Sequence, residues 1–110
     1  MDYTRTKEVI DVIEIGQFQE IHGSEYPKLA EQCESGYYKD VAAVAQYLRS
    51  GESVAESPGI LRDVLTGARI PERLSYLTDG KYAWRSDLAY YVEKYNLRLP
   101  EDFLNSINIH

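Results

Sequence analysis

Between Leu74 and Arg85 the chain reads as two short strand-forming runs on either side of Asp79-Gly80. An Asp-Gly pair so placed is the strongest short-range sign of a β-hairpin. Its two-residue type I′ turn needs positive φ at both central positions. Such a turn sets a register. Leu77 pairs with Tyr82 and Ser75 with Trp84 on one face, while Tyr76 and Ala83 lie on the other. Trp84 is then expected to be at least partly buried.

Helical signals surround this hairpin. Val41, Val44, Ala45 and Leu48 recur at i, i+3, i+4 and i+7, which predicts a helix from about Tyr38 to Ser50, closed by Gly51. Ser86 or Asp87 can cap a helix to about Asn96 that turns Leu88, Tyr91, Val92 and Tyr95 inward. Pro100 opens a last helix, with Glu101 and Asp102 in its first turn and Phe103, Leu104 and Ile107 on its apolar side. Nearer the start, Ser24 is the expected N-cap of a helix to about Glu34, carrying Glu25 and Pro27 in its first turn. Residues 4–15 admit two readings. Val9, Ile10 and Ile13 share a helical face, which favours a helix stopped by Gly16, whereas Val12 to Ile15 also fits a short strand. Glu52 to Ser57 reads as a short strand and Pro58-Gly59 as a turn. Residues 60–69 read as a loop or one helical turn broken at Gly67. The expectation is one α+β domain over residues 1–110, mostly helical, with a small antiparallel β-hairpin or meander.

A chain of 110 residues, 44% of them hydrophobic and 27% charged, can bury a core without staples. No apolar run approaches the roughly 18 residues of a membrane span. No basic-then-apolar leader opens the chain, and the lone Cys33 cannot form an internal disulfide, so a cytoplasmic location is expected. The net charge of −6 is unevenly placed. Through Ser57 there are eleven acids and five bases, a balance of −6; from Pro58 onward seven acids meet seven bases. The whole excess sits in the first half. Such a field repels nucleic acid and attracts basic protein surfaces.

Catalytic and metal-binding patterns are missing from the sequence. His22, His110 and Cys33 lack zinc-site spacing, and no cofactor-binding motif is present. Cys33 with His22 would need a third, orienting group to act as nucleophile and base. The isolated Gly51, Gly59, Gly67 and Gly80 do not form a phosphate loop. Asp63, Asp79 and Asp87 could serve as general acids or bases, but each has a structural explanation as a turn or cap residue. The protein is therefore read as a non-enzyme, with a small hydrolase built on Asp63 and Asp87 as a minor alternative.

The ten tyrosines are about three times ordinary usage. Tyrosine is rigid, amphipathic and enriched at interfaces. In the adjacent pairs Tyr37-Tyr38 and Tyr90-Tyr91, both members cannot point into one core. Tyr38 and Tyr90 are the candidates for the exposed member of each pair.

The segments "SPGILRDVLTG" and "YLTDGKYAWRSDLAYYVEKYNLRLPEDF" cover Ser57 to about Ile107. This half resembles a family of small bacterial immunity proteins encoded beside polymorphic or contact-dependent growth-inhibition toxins. Pro58-Gly59, Arg62-Asp63, Thr78-Asp79-Gly80, Trp84, Asp87 and Tyr90-Tyr91 carry the likeness. The resemblance implies an inhibitor of one cognate toxin, often a nuclease. A nuclease is basic, and an acidic inhibitor would both steer toward it and mimic phosphate charge. The expected partner-binding residues are Glu25, Glu31, Glu34, Tyr38, Tyr82, Trp84 and Tyr90. No nucleic acid or membrane partner is expected. The chain would be a monomer or a homodimer, and a homodimeric adaptor is the alternative function.

Overall fold

A computed structural model describes residues 12–108. Its elements are β1 (Ile13–Glu14), α1 (Gln19–His22), a 3-10 turn (Leu29–Gln32), α2 (Val41–Arg49), β2 (Glu52–Arg62), β3 (Arg69–Thr78), β4 (Tyr82–Arg85), α3 (Leu88–Tyr95) and α4 (Glu101–Ile107). The four strands form one mixed sheet in the order β1-β4-β3-β2. β1 runs parallel to β4, while the other pairings are antiparallel. The α+β class stands, but the mostly helical expectation does not. Among the described residues about 33% are helical and about 30% are strand.

The correction comes chiefly from β2. Its eleven residues run straight through Pro58-Gly59, a pair whose chemistry favours a turn. Proline is tolerated on edge strands and at bulges, and the pairing with β3 is irregular between Glu56 and Ile60. The reversal happens later, at residues 63–68. There the Asp63 carboxylate accepts from the backbone N–H of Leu65 (2.7 Å) and Thr66 (3.2 Å). Gly67 adopts φ +78° to complete the turn.

The hairpin forms, but its connection is shifted. Leu77 pairs with Trp84 and Thr78 with Ala83, so Gly80 and Lys81 are the loop residues. Only Gly80 has positive φ (+100°), with the glycine at the first central position as in a type II′ turn. The side chain of Asp79 explains the shift, because its Oδ1 accepts from the N–H groups of Lys81 (2.9 Å) and Tyr82 (2.8 Å). The displacement is two residues, so the faces are preserved. Ser75, Leu77, Tyr82 and Trp84 are buried, and Tyr76 is exposed.

The inward face of this hairpin anchors the core. The Trp84 indole donates to the Leu48 carbonyl at 3.0 Å and packs edge-on to Phe103, with centroids 5.8 Å apart. Tyr82 also meets Phe103 edge-on at 5.1 Å, and Tyr47 lies beside both Trp84 and Phe103. α2 and α4 thus cover the sheet through aromatic contacts. α2 starts at Val41 because Asp40 caps it, accepting from Ala43 N at 3.1 Å. Gly51 comes next without a side chain because an added Cβ would lie 2.9 Å from the Trp84 ring.

Residues 12–40 depart most from expectation. The strand alternative is observed at Ile13–Glu14, and the residues before Val12 lie outside those described. The helix expected from Ser24 to Glu34 is replaced by α1, a loop and the 3-10 turn. The Pro27 carbonyl accepts from Gln19 N (2.9 Å), folding the loop back on α1. Glu20, not Ser24, caps the 3-10 turn, with its carboxylate taking the Leu29 N–H at 2.9 Å.

Candidate protein-binding surface

The expected partner-binding residues divide by burial. Tyr38, Tyr82 and Trp84 are 8%, 4% and 0% exposed, so their side chains belong to the core and offer a partner nothing. Tyr82 and Trp84 face inward because of the hairpin register, and Tyr38 because its hydroxyl donates to the Leu97 carbonyl at 2.5 Å. Burial pushes the Tyr38 phenol well above its ordinary range. Glu25, Glu31 and Glu34 are exposed, and Tyr90 is half-buried.

Tyr90 belongs to a different construction. Its hydroxyl donates to Asp63 Oδ2 at 2.7 Å, and Tyr95 donates to the same oxygen at 2.5 Å. Lys94 completes the cluster, with Nζ 3.8 Å from Asp63 Oδ2 and above both tyrosine rings, 5.4 and 5.6 Å from their centroids. Burial alone would raise the Asp63 pKa, but the four hydrogen bonds it accepts outweigh that and hold the carboxyl at about 2. The bond to Asp63, with burial, pushes Tyr95 up to about 12. Asp63 is therefore a saturated, buried latch that ties the 63–68 turn to α3, with no lone pair left for a substrate. Asp87 is buried as well and pairs with Arg85 at 3.1 Å; burial raises its pKa, and Arg85 offsets part of the rise. Asp87 makes no side-chain cap bond to α3, contrary to the role its position implied. Asp63 and Asp87 are thus both buried and engaged in internal bonds.

Cys33 and His22 are each engaged elsewhere. Cys33 Sγ donates to the Leu29 carbonyl at 3.2 Å, and burial raises its pKa. His22 Nδ1 lies 3.1 Å from Phe18 N. Among the described residues no three His, Cys, Asp or Glu side chains gather as a metal site, and no helix is long and apolar enough to cross a membrane.

A concave surface does lie in the acidic half. A groove of about 420 Å³ runs between the end of β1, the loop at Tyr26-Pro27 and the segment at Arg98-Pro100. Glu14, Tyr26, Gln32, Tyr37 and Arg98 line it. Tyr37 also lines a second, smaller depression of about 240 Å³, bordered by Glu101 and Asn105. Arg98 is pinned by bonds from Nε to the Gln32 carbonyl and from Nη2 to the Glu31 carbonyl, both 3.0 Å. Its Nη1 lies 3.7 Å from Glu34. Glu14 thus lines the first depression and Glu101 the second, while the Glu34 carboxylate meets the Arg98 guanidinium and Glu31 contributes its backbone carbonyl.

Tyr37, not Tyr38, is the half-exposed member of its pair, and the two rings meet edge-on at 4.9 Å. Adjacency signalled that one of the two is exposed; the Leu97 bond decides which. Tyr26, Glu14 and Glu101 escaped the sequence reading because they join the surface only when β1, the Tyr26 loop and α4 converge. Compared with family models, curated proteins and solved structures, the chain matches none.

Proposed function

We propose that this protein binds and neutralises a basic protein partner through the acidic groove around Tyr37, as an immunity protein does its toxin. The observation that carries this is a concave surface at the half-exposed Tyr26 and Tyr37, with Glu14 lining the groove, Glu101 lining the second depression at Tyr37, and the exposed Glu34 held against the lining Arg98. Tyrosines supply rigid contact area, and carboxylates around them supply steering toward a basic surface. The resemblance of residues 57–107 to toxin-immunity proteins points the same way, with a cytoplasmic nuclease toxin as the cognate partner. The lone cysteine fits that reducing compartment. Asp63 and Asp87, both buried and engaged, give the hydrolase alternative no support.

This reading requires a toxin gene next to this one, and the test uses the toxin domain that such a gene encodes. Association with the parent should be fast at low salt and slow steeply as salt rises. The triple variant Glu14→Lys, Glu34→Lys, Glu101→Lys should associate about tenfold slower or worse, with a flattened salt response and a melting temperature lowered by only a few degrees, through the α4 first turn and the Glu34–Arg98 pair. Equal association rates for parent and variant would remove the groove from the interface. Failure of the parent to bind or protect would remove the immunity function.

A further inference from the structure

β2 is an outer strand of the sheet, and among the described residues nothing pairs with its free edge. All its residues except Leu61 are exposed. Its charges are sorted by position, with Glu52 and Glu56 in the first half and Arg62 at the end, beside Arg69 on β3. Val54 and Ile60 stand 54% and 61% exposed between them.

We propose that the free edge of β2 is a homodimer interface, in which a second copy pairs antiparallel about a two-fold axis at Ser57. That axis sets Glu52 opposite the second copy's Arg62 and Val54 opposite its Ile60. By symmetry each contact occurs twice. The charge pattern is self-complementary only in this direction, since a parallel pairing would place like charges side by side. Charged edges usually discourage strand pairing. Opposite charges at opposite ends reverse that effect under a two-fold.

The centre of the strand does not take part. Pro58 has no N–H to donate, and the register with β3 breaks between Glu56 and Ile60, with further shifts at Ser53/Ala55 and Ile60/Leu61 that bend the two flanking segments. The break opens a cleft of about 780 Å³ lined by Pro58, Ile60, Arg69, Pro71 and Arg73 among others. Pairing therefore falls on residues 52–54 and 60–62, one segment on each side of the axis. Two short segments make a weak, reversible dimer. This surface is separate from the acidic groove, so its failure would leave the proposed function standing.

Sedimentation equilibrium from about 5 to 500 μM, a span suited to micromolar association, provides the test. The parent should pass from monomer toward dimer across that range. Glu52→Lys and Arg62→Glu should each weaken the dimer about tenfold, since each turns two facing attractions into repulsions. Mixed in equal amounts, the two variants should dimerise with each other, because every opposed charge then again has the opposite sign. Arg62 also donates to the Gly67 carbonyl at 3.1 Å, so Val54→Lys mixed with Ile60→Glu serves as a second complementary pair that leaves that bond intact. A parent that stays monomeric at the highest concentration would overturn the proposal. So would a dimer indifferent to the single reversals, or mixtures that associate no better than the single variants.

Discussion

Replacing Asp63 with Asn should destabilise this protein by about 3 kcal/mol at neutral pH, and most of that difference should disappear in acid. Asp63 accepts four hydrogen bonds, two on each carboxylate oxygen: Tyr90 and Tyr95 on Oδ2, Leu65 N and Thr66 N on Oδ1. Asparagine has the same shape but presents one N–H₂ group. Whichever way the amide turns, two donors then face a donor. A bond to a charged acceptor contributes about 1.5–3 kcal/mol, and a buried donor left unpaired costs about 1–3. Rotation of the tyrosine hydroxyls recovers part, which leaves about 3 kcal/mol. In a domain of this size that lowers the melting temperature by roughly 10–20 °C. The pH dependence supplies an independent check. The folded pKa is about 2 against an ordinary 3.8, so ionised Asp63 contributes about 2 kcal/mol. Because the folded value is depressed, this contribution is complete above about pH 4 and is lost as pH falls through 2. Urea unfolding followed by Trp84 fluorescence, for parent and variant at pH 7, 4 and 2.5, measures both quantities. A gap under about 1 kcal/mol at pH 7, or one that stays constant into acid, would refute the latch.

The hairpin and the tyrosine pair give two more expected outcomes. Gly80→Val places a β-branched residue at φ +100° with nothing within 4 Å of its Cβ, so the cost is purely conformational and should exceed about 1 kcal/mol in a thermal melt. A variant that melted with the parent would dismiss the shifted hairpin. Tyr37 and Tyr38 should separate cleanly. Tyr38→Phe loses the buried bond to Leu97 and about 1–2 kcal/mol of stability while binding its partner normally, whereas Tyr37→Ala loses affinity, at a stability cost of about 1 kcal/mol from its edge-on contact with Tyr38. Calorimetry and binding on the same pair of variants check this, and a reversed pattern would put the groove in the wrong place.

What the sequence determined by itself was local. Gly51, Asn96 and Pro100 stand at or next to helix ends, and the stripes of α2, α3 and α4 recur at helical spacing. Such signals act within a few residues, so they survive without knowledge of the fold. The face assignment of the hairpin was also legible, because the alternation of side chains along a strand survives a two-residue shift in cross-strand pairing. The excess of acid in the first half is a property of composition and needed no coordinates.

Tertiary structure decided the rest, and in each case the deciding contact is distant in sequence. β2 lacks an alternating pattern because neither of its faces is deeply covered, and only its pairing with β3 makes it a strand. β1 exists because Ile13 and Glu14 lie parallel to Tyr82 and Ala83, far along the chain. Asp63 carries a local turn signal, but its saturation depends on Tyr90 and Tyr95, which α3 delivers 27 and 32 residues later. Tyr37 and Tyr38 are chemically identical in the sequence, and it is the carbonyl of Leu97, 59 residues from Tyr38, that draws one of them inward. A hydrogen-bond partner or a covering helix is supplied by chain closure rather than by neighbouring residues, so the burial of a side chain and the make-up of the groove belong to the fold and cannot be read from a window of sequence.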